Sequence, residues 1–573
     1  MSVSIHSARL PTGDTPVCNV TLEPYVLVKR GDTTVNADEI PEEGSPEPGL
    51  QLRSRWYRSS IPRGGAVCSV HPDKEASVQC TVCLRSKVAV HLTYHCTAEC
   101  FRSSWQQHRE YHHAAHANGQ ENGLDTPGKV VSSTMSAGGE TWVEVSRSRK
   151  YTPAQDDVGF VLKYECSVFD PHHHYIDLGR PMFAFTSRVR PAPNLPVRNL
   201  APLPLPHGVH RGGPGSRFTV LSYNMLADLY AKSDVYNHCP AWTMAWHYRK
   251  RNLLKELLTH RPDIMCLQEV QSDHFSEYLH PELVKAGYMG IYKKKTTEIF
   301  TGSAYTIDGC ATFFRSDRFH LVKKYEVEFN KAAISLADQM TNPHQKKATM
   351  NRLLKDNVAL IAVLEMAPDP ERSSKQLICV ANTHIHANPE LNDVKLWQVH
   401  TLLKGLEKIA NSADIPMLVA GDFNSVPGSA AHSLLVKGRV EPAQLLKQGP
   451  RGESSVDPLG LLRDTKLQHS LPLASAYAAL LDFPPTTEQL KRQRARLDPT
   501  HREPLFTNLN RDFKATLDYV LYTRDSLAPT GLLELPAEAE VVAKPGDSLP
   551  NANWSSDHVC LMAEFQILAH KAA

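Results

Sequence analysis

The sequence predicts an α/β domain over residues 217–567 preceded by a small β-rich domain over residues 20–185, and three observations carry that division. From residue 217 onward, short apolar runs alternate with segments of helical periodicity for more than 300 residues, the pattern of an α/β fold. Before residue 185 the apolar runs are short and alternate with polar residues, as half-buried strands do. Between the two, "RVRPAPNLPVRNLAPLPLPHGVHRGGPGS" is Pro-rich and then Gly-rich, which places an extended linker at 186–216.

Taken in order, residues 1–19 lack an apolar core flanked by a cleavage site, so they are expected to be a disordered N-terminus and not a secretory signal. "EPYVLVKR" and "LQLRSRWYRSS" read as strands, and the same style returns in "TWVEVSRSRKYTP" and "VGFVLKYECSVF". A polar, Gly-rich stretch from Ala114 to Gly139 lies between them. In the α/β part, "FTVLSYNML" and "DIMCLQEV" read as strands. "WHYRKRNLLKELLTH" between them reads as a helix with Leu253, Leu254, Leu257 and Leu258 at helical spacing. A second helix, "DVKLWQVHTLLKGLEKIA", places Leu396, Val399, Leu402, Leu403 and Leu406 on one face, and "MLVAG" follows as a buried strand.

Lys and Arg number 63 against 61 acidic residues, a net charge of +2, which excludes a global positive field as the source of nucleic-acid binding. No apolar run is long enough to span a bilayer, and an intracellular protein is expected. Its 12 cysteines are then expected to be thiols or metal ligands.

Five of those cysteines fall between Cys68 and Cys100. The spacing Cys68-x2-His71, Cys80-x2-Cys83, Cys96-x3-Cys100 and His108-x3-His112 supplies eight ligands in four close pairs, enough for two tetrahedral Zn²⁺ sites of the structural kind. Metal binding would then replace the core that so short a segment lacks. The paired order, with Trp105 between the last pairs, resembles the MYND zinc finger over residues 66–113. That resemblance implies interleaved pairs: Cys68, His71, Cys96 and Cys100 on one zinc, Cys80, Cys83, His108 and His112 on the other. His71 and His112 stand where cysteine is commoner, and His95 is an alternative to His71. It also implies a module that binds a Pro-rich peptide of a protein partner.

Polar residues recur at the ends of the apolar runs: Asn224, Glu269, His384, Asp422 with Asn424, Asp518, and the pair Asp557 and His558. Singly, each reads as a cap or turn residue, and "GDFN" fits an Asx-turn. Together they read as a site, because ligands gather at strand ends in open α/β sheets. Convergent buried carboxylates repel one another unless a divalent cation or a proton intervenes.

"SYNML", "LQEV", "DGCATFF", "NTHIHANPE", "GDFNSVPGS", "TLDYV" and "SSDHV" occur in the order of the endonuclease/exonuclease/phosphatase superfamily, which the chain resembles over residues 217–567. The resemblance implies a two-sheet α/β sandwich. The wording of "DGCATFF", "NTHIHANPELNDVK" and "SDH" resembles the carbon-catabolite-repressor deadenylases, nuclease subunits of the NOT complex, and the zinc-finger amino terminus resembles their plant branch.

This implies a Mg²⁺-dependent 3′–5′ exoribonuclease, using two ions, that shortens poly(A) tails and releases AMP. Position by position, Glu269 ligates Mg²⁺, with Asn224 and Asp518 shaping the metal and phosphate site. Asp422 orients and deprotonates the attacking water while Asn424 helps position it or the phosphate. His384 and His558 contact the scissile phosphate, and Asp557 holds the His558 imidazole. The terminal adenine is held between Asn424 and Phe513, with Pro389 lining the pocket. Lys293 to Lys295 and Arg352 to Lys355 read equally as phosphate contacts or as solvated faces. The expected partners are poly(A) RNA and, through the finger, a DEDD-type companion deadenylase and the NOT scaffold. The expected location is the cytoplasm, with processing bodies and the nucleus as further places. Rival readings are a phosphatase of the same fold acting on a phosphoinositide or dinucleotide, and a zinc-finger scaffold without catalysis.

Overall fold

The computed structural model describes residues 3–568 apart from 11–14, 46–48, 60–67, 72, 73, 75, 77, 81–91, 107, 110–134, 138, 139, 171–176, 193, 194, 206–215, 233, 301–304, 368–374, 450, 451, 456, 463–465 and 543–547. The chain divides into two compact units at Asn194 and Leu195.

The N-terminal unit is built on an antiparallel five-stranded sheet, ordered Asp177–Arg188, Val161–Phe169, Gln51–Ser59, Glu140–Ser146 and Met135–Ala137. Period-2 alternation sends Leu52 and Trp56, with Leu162, Tyr164, Cys166 and Val168, to one buried face. Trp56 packs against Tyr151 and Tyr164, with ring centroids 5.6 and 5.0 Å away, and its indole N–H donates to the Arg149 carbonyl at 3.1 Å. Residues 1–19, expected to be disordered, contain the strand Val3–Arg9, which pairs with Tyr25–Arg30 and buries Ile5 beside Val26 and Val28. The segment is too polar to announce itself, and its strand exists because a partner sixteen or more residues away completes the ladder.

The C-terminal unit holds two sheets. One runs in the order Leu200–Pro202, Leu527–Leu533, Leu561–Ile567, Arg217–Asn224, Ile264–Gln271, Asp308–Arg315 and Tyr288–Lys294. The other runs Phe319–Glu328, Val358–Met366, Leu377–His384, Met417–Asp422, Asp518–Thr523 and Leu473–Ser475. Leu200–Pro202, expected to be linker, is an edge strand paired with Gly531, Leu532 and Leu533, a pairing too distant in sequence to be read locally.

Alternation explains the layers. Leu418 and Ala420 join Val220, Ile264, Cys266 and Val380 in a core between the sheets. Val419 and Met417 point the other way, onto Val399, Leu402, Leu403 and Leu406 of the helix Asn392–Ser412. On the first sheet Leu221, Met265 and Leu267 pack on Leu253 and Leu257 of the helix Trp246–His260, while Leu258 is exposed. The result is a two-sheet α/β sandwich with a helix layer outside each sheet.

Within each sheet one parallel pair sets the working edge. Arg217–Asn224 runs parallel to Ile264–Gln271, and Leu377–His384 runs parallel to Met417–Asp422. Asn224, Glu269, His384 and Asp422 therefore lie at strand C-terminal ends, and Asp518 opens the antiparallel neighbour directly opposite Asp422. A buried amide ladder fastens the sheets below that edge: Gln268 donates to Asn382 Oδ1 at 2.8 Å, and Asn382 donates to the Ala311 carbonyl at 2.9 Å.

Candidate active site

Asp422 ends a fully buried strand and is itself only 1% exposed. Its Oδ1 accepts from the backbone N–H of Asn424 at 2.8 Å, the Asx-turn that the sequence suggests, and Asn424 takes a left-handed φ of 46°. The Asp422 Oδ2 accepts from Asn224 Nδ2 at 3.0 Å and lies 3.6 Å from His384 Nε2 and 3.7 Å from His558 Nε2. Burial and the neighbouring Asp518 carboxylate push the Asp422 carboxyl up to about 7, against the pull of His558.

The turn depends on Gly421, whose φ is 147° and whose missing Cβ leaves space for the Thr383 carbonyl oxygen. A methyl there would enter that backbone atom, so Gly421→Ala is expected to destabilise the C-terminal unit by about 1–3 kcal/mol, read as a lower urea midpoint with an unchanged slope.

Asn224 is shared, for the same Nδ2 also donates to Glu269 Oε1 at 3.1 Å, while Glu269 Oε2 accepts from the Ala227 N–H at 2.9 Å. Glu269 sits in a bulge, where pairing with Asp308–Arg315 shifts register between Leu267 and Val270, and its φ is 54°. Such a bulge re-aims one side chain off the ladder. With Leu226 at φ 52°, three of the six non-glycine residues with positive φ among the described residues fall at this edge. Strain collected in this way marks a site that the surrounding structure holds fixed. Burial first, then Asp308 and Asp557, push the Glu269 carboxyl upward.

The two histidines are driven apart. Burial opposes charge on His558, yet Asp518 and Asp557 outweigh it and hold the imidazole well above its ordinary value, with Nδ1 2.7 Å from Asp518 Oδ2. Burial, aided by Lys295 and His558, holds His384 well below its ordinary value, and its buried Nδ1 has no hydrogen-bond partner. Charge is favoured on His558 and disfavoured on His384.

The role expected of Asp557 falls instead to Asp518. Asp557 Oδ2 accepts from the Tyr236 hydroxyl at 2.8 Å and from Asn508 Nδ2 at 3.1 Å, away from the His558 ring. Asp557 sits in the bend before the isolated bridge of His558 with Asn508, and its carboxylate is held by Tyr236 and Asn508. Sequence reasoning also missed Thr507, whose hydroxyl donates to Asp518 Oδ2 at 2.6 Å, and Asn508; nothing in "LFTNLN" distinguishes them. Lys295 and Asp308 form a buried ion pair at 2.9 Å, capped by the Tyr230 hydroxyl, which donates to Asp308 at 3.0 Å. Lys293 pairs with Glu328 at 2.6 Å, and Arg352 grips Asp393 with two bonds of 2.8 and 2.9 Å. Of the basic runs, Lys293, Lys295 and Arg352 are thus spent on internal partners.

The Asn424 amide donates to the Ile385 carbonyl at 2.9 Å. Phe513 stands 40% exposed in the turn joining Asn508–Leu509 to Lys514–Ala515, and Pro389 is exposed in the loop between Leu377–His384 and the helix Asn392–Ser412.

The donor set at the edge fits a hard divalent cation. The Asp422 and Asp518 carboxylates can place oxygen atoms within 4.8 Å of each other, and Asp518 Oδ1 is buried without a partner. Glu269 joins them through Asn224, and carboxylate oxygen is the ligand such ions prefer.

In the N-terminal unit, Cys68, His71, Cys96 and Cys100 form a second such cluster, with His71 Nδ1 3.3 Å from Cys100 Sγ and 3.4 Å from Cys96 Sγ. His95 lies outside it, its Nδ1 3.5 Å from Ser69 Oγ and 3.4 Å from Ser104 Oγ. Cys80 and His108 are buried, whereas Cys83 and His112 lie outside the described residues.

A sandwich of two mixed sheets with a carboxylate, amide and histidine edge defines a class, and the chain belongs to it: the Endonuclease/Exonuclease/phosphatase family, whose model matches residues 221–558. Within the family it is of the carbon-catabolite-repressor type. It is 48% identical to "Carbon catabolite repressor protein 4 homolog 1" of Arabidopsis thaliana, over 99% of this chain and 98% of that protein. It is 45% identical to that plant's homolog 2, over 98% of each chain. The Saccharomyces cerevisiae "CCR4-Not complex 3'-5'-exoribonuclease subunit Ccr4" is 33% identical over 61% of this chain and 39% of its own length.

Proposed function

We propose that the chain is a Mg²⁺-dependent 3′–5′ exoribonuclease that shortens poly(A) tails, releasing AMP, as a catalytic subunit of the NOT complex in the cytoplasm. The observation that supports it most is the shared Asn224 amide, which ties Asp422 to Glu269 at one strained sheet edge in a chain similar to named exoribonuclease subunits. Glu269 and the Asp518 oxygen without a partner would hold Mg²⁺, which when bound offsets charge on the non-bridging and leaving oxygens. Asp422, held at a fixed angle by the Asn424 N–H, takes the proton of the attacking water. The His558 imidazolium, braced by Asp518, donates to a phosphate oxygen, and neutral His384, 3.6 Å from the same Asp422 oxygen, offers a second N–H. The Asn424 side chain and Phe513 receive the terminal base, with Pro389 at the rim. Stacking on a ring is tolerant of sequence, so the preference for adenine must come from edge contacts.

In the N-terminal unit, Cys68, His71, Cys96 and Cys100 hold one structural Zn²⁺; on sequence spacing alone, Cys80, Cys83, His108 and His112 are assigned a second, and the finger docks a DEDD-type companion deadenylase. The test uses the purified full-length chain with 5′-labelled oligo(A) and oligo(C), with Mg²⁺ or a chelator. Oligo(A) is expected to shorten stepwise from its 3′ end only with Mg²⁺, and more than tenfold faster than oligo(C). Equal turnover of both, or hydrolysis only of a phosphoinositide or dinucleotide, would overturn the reading.

A further inference from the structure

The sheet edge that carries Asn224 and Glu269 also carries an excursion that no catalytic role uses. Asp308–Arg315 is antiparallel to both Ile264–Gln271 and Tyr288–Lys294, so the connection from Lys294 to Asp308 emerges at that same edge. It pairs Ile299–Phe300 with Tyr305–Thr306 as a short antiparallel ladder. Phe300 is 59% and Tyr305 71% exposed, with ring centroids 5.2 Å apart. Ile299 and Phe300, with Leu229, Tyr230 and Lys232, line a cavity of about 210 Å³. That is below the roughly 300–1,000 Å³ of drug-sized sites and on the scale of a single ring system.

The floor of the cavity is continuous with the catalytic machinery. Ala227 donates its N–H to Glu269, Leu229 donates its own to Gln271 Oε1 at 2.6 Å, and the Tyr230 hydroxyl bonds Asp308. Lys232, exposed, lines the cavity, and Lys294, at the start of the excursion, is 58% exposed and 3.7 Å from Glu298. Two exposed rings on a two-stranded ladder gain nothing for a core. Rings flanked by lysines are the composition that holds single-stranded nucleic acid, bases on the rings and phosphates on the ammonium groups.

We propose that this two-stranded ladder is a stacking platform for the substrate nucleotides upstream of the one being removed: a base seats against Phe300 and Tyr305 beside the cavity, and its phosphates meet Lys232 and Lys294. The proposal rests on the exoribonuclease reading above. The platform lies at the sheet edge that carries Glu269, on the path this proposal assigns to an RNA whose 3′ end reaches Glu269 and Asp422.

The test compares the dinucleotide ApA with an oligo(A) of about ten nucleotides, a length within single-strand site sizes. Equilibrium binding and kcat/KM are measured for the wild-type full chain, the double variant Phe300→Ala and Tyr305→Ala, and Phe300→Trp. The wild type is expected to favour the longer substrate by about 5- to 150-fold, the alanine variant to lose most of that ratio, and the tryptophan variant to keep it. A ratio unaltered by the alanine changes, as a protein-docking role for the ladder would give, overturns the proposal while leaving the exoribonuclease reading intact. A wild type that binds with the length ratio but cleaves neither substrate overturns the exoribonuclease reading and leaves the platform.

Discussion

Asp422→Asn is expected to lower kcat on oligo(A) by about 10²–10⁴-fold with little change in KM, the range a single proton-transfer group contributes. The amide matches the carboxylate in volume and keeps an oxygen for the Asn424 N–H, so the turn is preserved, while its NH₂ replaces the oxygen that accepts from Asn224 Nδ2. It removes the only thing the mechanism asks of the position, a basic oxygen held between two imidazoles. A loss of fold would mimic this result, and pH separates the two. The Asp422 carboxyl is raised to about 7, so the fold prefers it protonated. Its cost begins above the unfolded value of about 3.9, grows as pH rises, and is complete above 7. In chelated protein the stability of the asparagine variant relative to wild type should therefore rise between pH 4 and pH 8, read from the urea midpoints. A variant that is inactive and whose stability relative to wild type is the same at pH 4 and pH 8 would show that Asp422 carries no raised carboxyl and acts as a structural group.

The readable parts of this protein were those fixed by short-range pattern. Strands such as Met417–Asp422 are covered on both faces and so are apolar throughout, and the helix Asn392–Ser412 declares its buried face through Leu396, Val399, Leu402 and Leu406. Asp422, Glu269 and His384 were legible because each breaks an apolar run at its end. Pairing between remote segments was not: Val3–Arg9 and Leu200–Pro202 are strands only because a ladder partner arrives from elsewhere. Nor was partner choice within the site. Asp557 adjoins His558 in sequence, but the imidazole turns to Asp518, forty positions away. Lys295 read as a surface cation until Asp308, delivered by the neighbouring strand, buried it. Register and facing direction decided each of these, and residue type alone carries neither.

Glu269→Gln separates metal holding from proton transfer. The glutamate offers two acceptors, one to Asn224 Nδ2 and one to the Ala227 N–H. A glutamine has one acceptor, so its NH₂ must face one of those two donors, and it brings no charge to a cation. The Mg²⁺ concentration for half-maximal activity on oligo(A) is expected to rise at least about 10–100-fold, the span that follows even from loss of an outer partner in a metal site. Part of the lost rate should return as Mg²⁺ is raised, because Asp422, Asn424 and both histidines still stand in place. The same titration should do nothing for Asp422→Asn, where the missing group is a base and no concentration of cation supplies one. If both variants respond alike to Mg²⁺, the division of labour across the shared Asn224 amide is wrong, and Glu269 and Asp422 act as ligands of one ion.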